Sequence, residues 1–242
     1  MTESVGKALP PGSAFAGDDG SADPELAHAL VEHAAGRGPL SAVVARLAQV
    51  RVLIPILASL DKDDYTEAGL RIDKEASAGI VALKAPDGRT ALPVFTSVAT
   101  MATWRADARP TPADAVRAAL SAVSEDWAML VVDPGNEAQA LIPRPAVWAI
   151  AQQLEWIPTI ADGQVHPEIA AEIAAVVGGI EHIVAVATEP GRSAELAVVL
   201  KIDSGLTRAG LNYVLEQVNA ALAGSSLIAQ RVDGLELRIG KA

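Results

Sequence analysis

Two short polar segments carry the charged side chains that are best placed to do chemistry. Asp133-Pro134-Gly135 follows an apolar run, so Asp133 could present a carboxylate at the rim of a sheet, although the same residues also form an ordinary turn. Pro143-Arg144-Pro145 places a guanidinium at a helix start, where it could face an anion beside free backbone amides. It could equally form an ion pair with Asp133 or Glu137. We favour the turn at Asp133 and the ion pair at Arg144.

Tryptophans are the second group of candidate contact residues. The four of them are Trp104, Trp127, Trp148 and Trp156, in a chain with only 3% aromatic residues. Such large apolar side chains are expected to anchor a core. Trp148 lies one position beside the apolar stripe of its predicted helix, so it either packs at the helix edge or flanks a groove for a ligand or partner. Trp156 is the second candidate for such a groove, and packing is the interpretation we favour.

Known catalytic and metal-binding motifs are absent from the sequence. It contains no phosphate-binding G-x-x-x-x-G-K-[ST], no G-x-S-x-G nucleophile elbow and no H-E-x-x-H. The lack of cysteine excludes thiolate ligands, cysteine nucleophiles and disulfides. The four histidines do not have the spacing of a metal site. We therefore predict no catalytic residue, no cofactor and no metal.

Charge and hydropathy limit the partners and the location of the protein. Lys and Arg total 19 against 30 Asp and Glu, a formal net charge of −11, which works against a surface that binds phosphates. The first residues lack a basic region followed by an apolar core, and no run of about 18 apolar residues occurs. We expect a cytoplasmic protein that binds neither nucleic acid nor membrane.

The elements that must position these residues alternate between helices and strands. Helix starts are predicted where a proline lies beside a capping residue, at Asp23-Pro24, Thr111-Pro112, Arg144-Pro145 and His166-Pro167, and another follows Thr207. Strands are predicted at Arg51–Ala58, Gly79–Lys84, Thr90–Phe95, Trp127–Val132, Ala138–Ile142, Ile183–Thr188, Glu195–Ile202 and Val232–Ile239. Asp87-Gly88 predicts a hairpin turn, and Asp61–Ser77 a long loop. Pro55 and Pro93 indicate edge strands or bulges.

These elements predict an α+β protein with two domains, each a small mainly antiparallel or mixed sheet covered by helices. Residues 1–22 are rich in Pro, Gly and Asp and are expected to be a disordered tail. A boundary near Asp162-Gly163 separates a domain at 23–162 from one at 163–242, in which the order of elements is αββαβ. Glu189-Pro190-Gly191-Arg192 is predicted to turn its first two strands into an antiparallel hairpin.

Residues Arg51 to Trp156 resemble the N-terminal domain of the SseB family, the enhanced serine sensitivity proteins common in actinobacteria. The matching segments are RVLIPILA, DGRTALPVFTS with the following helix and Trp104, and WAMLVVDPG leading into LIPRPAVWAIAQ. The C-terminal αββαβ segment resembles the second domain that such proteins often carry. The resemblance implies the fold of a largely uncharacterised family without agreed catalytic residues.

The leading hypothesis is a non-catalytic binding or regulatory module that acts through protein–protein contacts, with a protein partner or by self-association. One alternative is a hydrolase or transferase whose dispersed acidic site combines Asp133, Arg144 and the loop Asp61–Asp73. Another alternative is a small-ligand sensor with a groove near Trp148 and Trp156.

Overall fold

The computed structural model describes residues 15–57, 71–73, 81–85 and 88–240, with backbone alone for 71–73. The chain divides into two compact units. The first comprises Met1–Pro143 and Ala149–Glu155, and the second comprises Arg144–Trp148 and Trp156–Ala242. After the segment Arg144–Trp148, the second unit continues from Trp156, whereas the sequence suggested a domain boundary near Asp162. Helices and small mixed or antiparallel sheets make up both units, as the predicted α+β class requires.

The first unit contains a five-stranded sheet and a two-stranded one. Its helices are α1 (Pro24–Ala34), α2 (Leu40–Leu47), α3 (Val98–Trp104), α4 (Ala115–Ser124) and α5 (Arg144–Ala151), the last shared with the second unit. Its strands are β1 (Arg51–Ile56), β2 (Arg71–Asp73), β3 (Ala82–Lys84), β4 (Thr90–Val94), β5 (Arg109–Asp114), β6 (Met129–Val132) and β7 (Ala140–Ile142). The larger sheet has the order β2-β3-β4-β6-β7, with β4 and β6 parallel and the other neighbours antiparallel. Strands β1 and β5 form the smaller, antiparallel sheet.

Local signals in the sequence produced the expected structure at α1 and at the β3–β4 hairpin. Asp23 caps α1, because its Oδ1 accepts a hydrogen bond from the backbone N–H of Leu26 at 2.9 Å. The hairpin is closed by the N–H of Ala85, which donates to the carbonyl of Arg89 at 2.8 Å. Gly88 has φ +85°, a backbone conformation that glycine adopts without a steric cost. Both predictions are confirmed.

The predicted helix start at Thr111-Pro112 is wrong. These residues lie in β5, opposite Ile54 and Leu53 of β1, and α4 begins at Ala115. A proline disfavours helical geometry in the residue before it, so Pro110 and Pro112 keep this segment extended. In a two-stranded sheet, every second residue of a strand directs its N–H away from the partner strand. Proline, which has no N–H, is tolerated at such positions because no hydrogen bond between the strands is lost.

Two further expectations for the first unit changed in the structure. Within the predicted loop Asp61–Ser77, residues Arg71–Asp73 form β2 and pair with β3, whereas residues 61–70 and 74–77 lie outside the described residues. Pro55 lies in the two-stranded sheet, as expected for an edge. Pro93 instead lies in an interior strand, beyond the point where β3 pairs with β4 at Thr90 and Ala91.

Residues 15–22 are held by specific contacts, although the sequence predicted a disordered tail through residue 22. The guanidinium of Arg51 donates to both carboxylate oxygens of Asp18, at 2.5 and 2.9 Å, and lowers the pKa of that carboxyl group. The carbonyl of Gly20 accepts from the N–H of Val98 at 2.9 Å. In the sequence, Arg51 is the first residue of an apolar run, and nothing nearby indicates Asp18 as its partner. Residues 1–14 lie outside the described residues.

The second unit is a three-stranded sheet with helices on one face. Its elements are β8 (Ile160–Ala161), β9 (Gln164–Val165), α6 (Pro167–Val177), β10 (Ile183–Pro190), β11 (Leu196–Ile202), α7 (Arg208–Gly224), α8 (Ser226–Arg231) and β12 (Leu235–Gly240). The sheet order is β10-β11-β12, antiparallel between β10 and β11 and parallel between β11 and β12. Buried residues of α6, α7, α8 and β11 form its core: Ile169, Ile173, Val177, Val214, Val218, Leu222, Ile228, Leu196, Val198 and Leu200. Helix α8 and the β8–β9 hairpin were not foreseen from the sequence.

Candidate functional site

Asp133 lies at the end of β6, where its carboxylate is buried and fully engaged. Its Oδ1 accepts a hydrogen bond from the backbone N–H of Thr96 at 2.8 Å, and its Oδ2 accepts one from Thr96 Oγ1 at 2.7 Å. Asp133 is 5% exposed, and its φ of +48° falls in the left-handed region that Asp tolerates. Its carbonyl accepts from the N–H of Asn136 at 3.1 Å, which forms the predicted turn. The carboxylate therefore joins the ends of β6 and β4 and is not presented to solvent at the sheet rim.

Arg144 opens α5 and binds the end of α8. Its Nη1 donates to the carbonyl of Ala229 at 2.8 Å and its Nη2 to the carbonyl of Val232 at 2.6 Å. These carbonyls belong to the last turn and the C-cap of α8, where a cation complements the partial negative charge of the helix end. The guanidinium thus binds backbone carbonyls, in place of the carboxylate of Asp133 or Glu137 that we favoured from the sequence.

A partly buried polar cluster surrounds this contact and was missed at the level of sequence. The Oε2 of Glu195 accepts a hydrogen bond from the backbone N–H of Asp233 at 2.7 Å, and Asp233 Oδ1 accepts from the N–H of Arg144 at 3.3 Å. Burial raises the pKa of Glu195, and the nearby Asp233 carboxylate adds to that effect, whereas the charge of Arg144 opposes it. Thr159 is buried and donates through Oγ1 to the carbonyl of Arg231 at 2.7 Å.

This cluster could not be found by spacing, since its members come from separate parts of the chain. Arg144 and Asp233 are 89 positions apart, and Glu195 and Asp233 are 38 apart. Asp233-Gly234 looks like an ordinary turn, and Glu195 looks like the first residue of a strand. The sequence signal that could have indicated the cluster is an acidic residue just before each of two neighbouring strands, Glu195 before β11 and Asp233 before β12.

The structure gives the positions of the tryptophans named for the predicted groove. Trp148, Trp156 and Arg144 belong to the second unit, whereas Asp133 belongs to the first. Trp148 is exposed on α5, and Trp156 is half-buried, with an indole N–H that has no hydrogen-bond partner among the described residues. Trp104 behaves as expected for a core residue, since its ring packs against Phe95 with centroids 5.2 Å apart. The groove near Trp148 and Trp156 remains a prediction.

An open cleft with an apolar lining is formed by described residues in each unit. In the first unit, a cleft of about 360 Å³ lies on the five-stranded sheet between Leu83, Ala91, Val131 and Leu141, with Gln139 at its side. In the second, a cleft of about 300 Å³ lies beside β12, between Leu235 and Leu237 of that strand and Leu222 and Ile228 of the helices. We call these the sheet cleft and the β12 cleft. Neither Trp148 nor Trp156 lines either of them.

Among the described residues, no three His, Asp or Glu side chains are grouped in a way that would hold a metal ion. No helix in the described part of the chain is both long and apolar enough to span a bilayer.

The first unit has the order of elements expected from the resemblance to the SseB N-terminal domain. The β3–β4 hairpin is followed by α3, and β6 passes through the Asp133 turn into β7 and α5. A family model described as the SseB protein N-terminal domain matches residues 26–149, just over half of the chain. The chain belongs to the SseB family. Searches among curated proteins and among solved structures gave no significant match.

The SseB domain so defined contains the features of the first unit that could act in binding. The Asp133–Thr96 contact and the described lining residues of the sheet cleft lie within the matched range. Arg144 and Trp148 of the second unit also lie within it. Trp156 and every element from β8 onward follow it. The sheet cleft therefore belongs to the SseB domain, and the β12 cleft is formed mainly by the segment that follows.

Proposed function

We propose that this SseB-family protein is a non-catalytic binding or regulatory module that acts by contacting another protein. The observation that carries the proposal is the sheet cleft. Leu83, Ala91 and Val131 line it and are almost fully buried, whereas Leu141, on the edge strand β7, is 47% exposed. An exposed leucine beside an apolar depression is a surface that loses unfavourable contact with water when a partner covers it.

The register of the strands explains why these side chains share one face. Leu83 is opposite Ala91, and Val131 is opposite Leu141, and residues directly opposite each other in a sheet point to the same side. Gln139 supplies the polar side chain among the described lining residues, and no charged side chain lines the cleft there. Such a lining suits the apolar side chain of a protein partner better than it suits a charged metabolite.

Site-specific photo-crosslinking in the native cell tests this function. A photoreactive amino acid at position 141 should give an adduct with one protein, and the same amino acid at position 120 is the matched control. Leu120 is 50% exposed on α4 of the same unit, so its exposure is nearly the same. The expected result is an adduct at 141 that is absent at 120 and is out-competed by the unlabelled chain but not by its Leu141→Glu variant. Equal labelling at both positions, or none at 141, would argue against the proposal.

The alternative of a hydrolase or transferase receives less support from the candidate residues. The oxygens of Asp133 and the guanidinium of Arg144 already serve structural contacts, and residues 61–70 of the proposed acidic loop lie outside the described residues. Turnover of a generic ester or phosphate substrate that Asp133→Asn abolished without unfolding the protein would favour this alternative.

The small-ligand sensor is the other alternative. It predicts that the melting temperature of the protein rises when its ligand is added, and amino acids and nucleotides are suitable first probes.

A further inference from the structure

The two edges of the second unit's sheet differ in how they are protected against pairing with another strand. The β10 edge has a register shift between Ile183 and Ala185 and ends at Pro190, and residues of β9 lie near β10. Bulges, prolines and covering segments are the usual devices that block an edge. Strand β12 contains no proline and pairs with β11 without a shift from Leu235 to Gly240. Within the described chain it has a neighbouring strand on one side only.

Successive residues of β12 direct their backbone N–H and C=O groups alternately toward β11 and toward the open side. The N–H of Leu196 donates to the carbonyl of Gly234 at 3.2 Å, which fixes the phase of the parallel pairing. Glu236 and Arg238 then direct their backbone groups toward β11, and Leu235, Leu237 and Ile239 direct theirs outward. The side chains of these three outward residues share the helix-covered face, since they are opposite Leu196, Val198 and Leu200. Ile239 is 53% exposed.

We propose that this edge binds a second copy of the chain, whose own β12 adds antiparallel about a two-fold axis at Leu237. Leu237 is then directly opposite Leu237 of the partner subunit, and Leu235 is opposite the partner's Ile239. These are the outward-directed residues, so up to six backbone hydrogen bonds form between the strands. The two three-stranded sheets become one of six strands, and the interface is isologous, as a two-fold axis requires.

The charges of β12 select this register. On the open face, Glu236 of one copy is opposite the partner's Arg238, and the reverse pair forms across the axis. A register shift of two residues in one direction would place Glu236 opposite Glu236 of the partner subunit. The same shift in the other direction would place Arg238 opposite the partner's Arg238. Like charges directly opposite each other destabilise a strand pair, whereas opposite charges stabilise it. A shift of one residue would bring inward-directed backbone groups to the interface.

These charged side chains are already held in place within one copy. Arg238 forms ion pairs with Glu189 and Glu236. Glu236 also accepts hydrogen bonds from the backbone N–H groups of Arg192 and Ser193, at 3.0 and 2.8 Å. Pairing with the second copy extends an existing row of alternating charge and orders few additional side chains. On the other face it covers the open side of the β12 cleft. The β12 edge is a different surface from the sheet cleft, so pairing there does not depend on the proposed function.

Sedimentation equilibrium on the full chain, with one variant and its control, tests the proposal. Ile239→Pro removes an N–H that points away from β11, so the intrachain pairing keeps its hydrogen bonds. Ile239→Val is the matched control, because it retains the N–H and most of the side chain. We expect a dimer whose dissociation constant rises roughly tenfold or more with Ile239→Pro and changes little with Ile239→Val. A monomer at several hundred micromolar, or a dimer that Ile239→Pro leaves unchanged while its melting temperature shows it folded, would overturn the proposal.

Single-cysteine crosslinking tests the register independently, because the natural chain has no cysteine. Leu237→Cys places two thiols at the proposed axis, and mild oxidation should convert most of the protein into a covalent dimer. Val184→Cys is the control, since Val184 is 60% exposed on the protected β10 edge. Crosslinking that is equal at both positions, or absent at 237 under conditions where the wild-type chain is dimeric, would refute β12 pairing at this axis.

Discussion

At the scale of single residues, the two charged groups that the sequence suggests for chemistry both make contacts within the fold. Asp133 uses both oxygens on Thr96, and Arg144 uses its guanidinium on the end of α8. Both roles depend on partners that lie far away in the sequence, 37 and at least 85 positions apart. Spacing rules identify ligands on one helix or one turn, so they do not reach such pairs.

The Asp133–Thr96 contact gives a stability prediction. Asp133→Ala leaves the N–H and hydroxyl of Thr96 without their acceptor in a buried site, and we expect a loss of about 2 kcal/mol in the free energy of unfolding. Asp133→Asn keeps one acceptor oxygen and should cost about half as much. Urea unfolding at neutral pH measures both. Equal stability of wild type and Asp133→Ala would show that the contact contributes nothing net.

Glu195 gives a prediction about pH. Because burial raises the pKa of this carboxyl group in the folded state, its ionisation opposes folding once the pH exceeds the ordinary value of 4.5. Glu195→Gln keeps an acceptor for the N–H of Asp233 but carries no charge. We expect the variant to melt at a higher temperature than wild type at pH 7, with the difference shrinking as the pH falls toward 4. A lower melting temperature across that whole range would mean that the charge of Glu195 stabilises the site.

The pKa of Glu236 is shifted in the opposite direction, so its effect on stability depends on pH in the opposite way. Hydrogen bonds from Ser193 and from the N–H of Arg192 lower its pKa to about 2. Its stabilising effect is therefore complete above pH 4.5 and is lost as the pH falls from there toward 2. We expect Glu236→Gln to flatten this part of the acid unfolding curve measured by circular dichroism. A curve with the wild-type slope between pH 4.5 and 2 would contradict the assignment.

At the scale of elements, the sequence predicted those whose signals are local. The caps of α1 and α7 and the turn at Gly88 depend on residues within a few positions of one another. Strands β2 and β5 were missed for opposite reasons. Arg71–Asp73 looks polar and pairs only because β3 is beside it, and the prolines of β5 imitate a helix start. The polar cluster at Glu195 and the open edge of β12 become visible only once the strands have been assembled.

Helix α8 is a short element whose end is bound by one distant residue. It has six residues, too few to persist without tertiary contacts, and Arg144 binds its last carbonyls. We expect Arg144→Ala to lower the free energy of unfolding by about 2 kcal/mol and to speed hydrogen exchange in α8. Arg208→Ala, at the exposed start of α7, is the control and should change neither. Unchanged exchange in α8 would show that its docking depends on Ile228 and Val232 alone.

At the scale of the whole molecule, net charge acts against the pairing that β12 offers. Each copy carries a formal charge of −11, so two copies repel each other, while the attractive Glu236–Arg238 pairs across the interface number only two. Salt at 0.5 M shortens the screening length to a few ångström and weakens the long-range repulsion more than the close contacts. We therefore expect the dimer dissociation constant to fall several-fold between 0.05 and 0.5 M sodium chloride in sedimentation equilibrium, for wild type and Ile239→Val alike. A dissociation constant that rises with salt would show that the ion pairs outweigh the repulsion between copies.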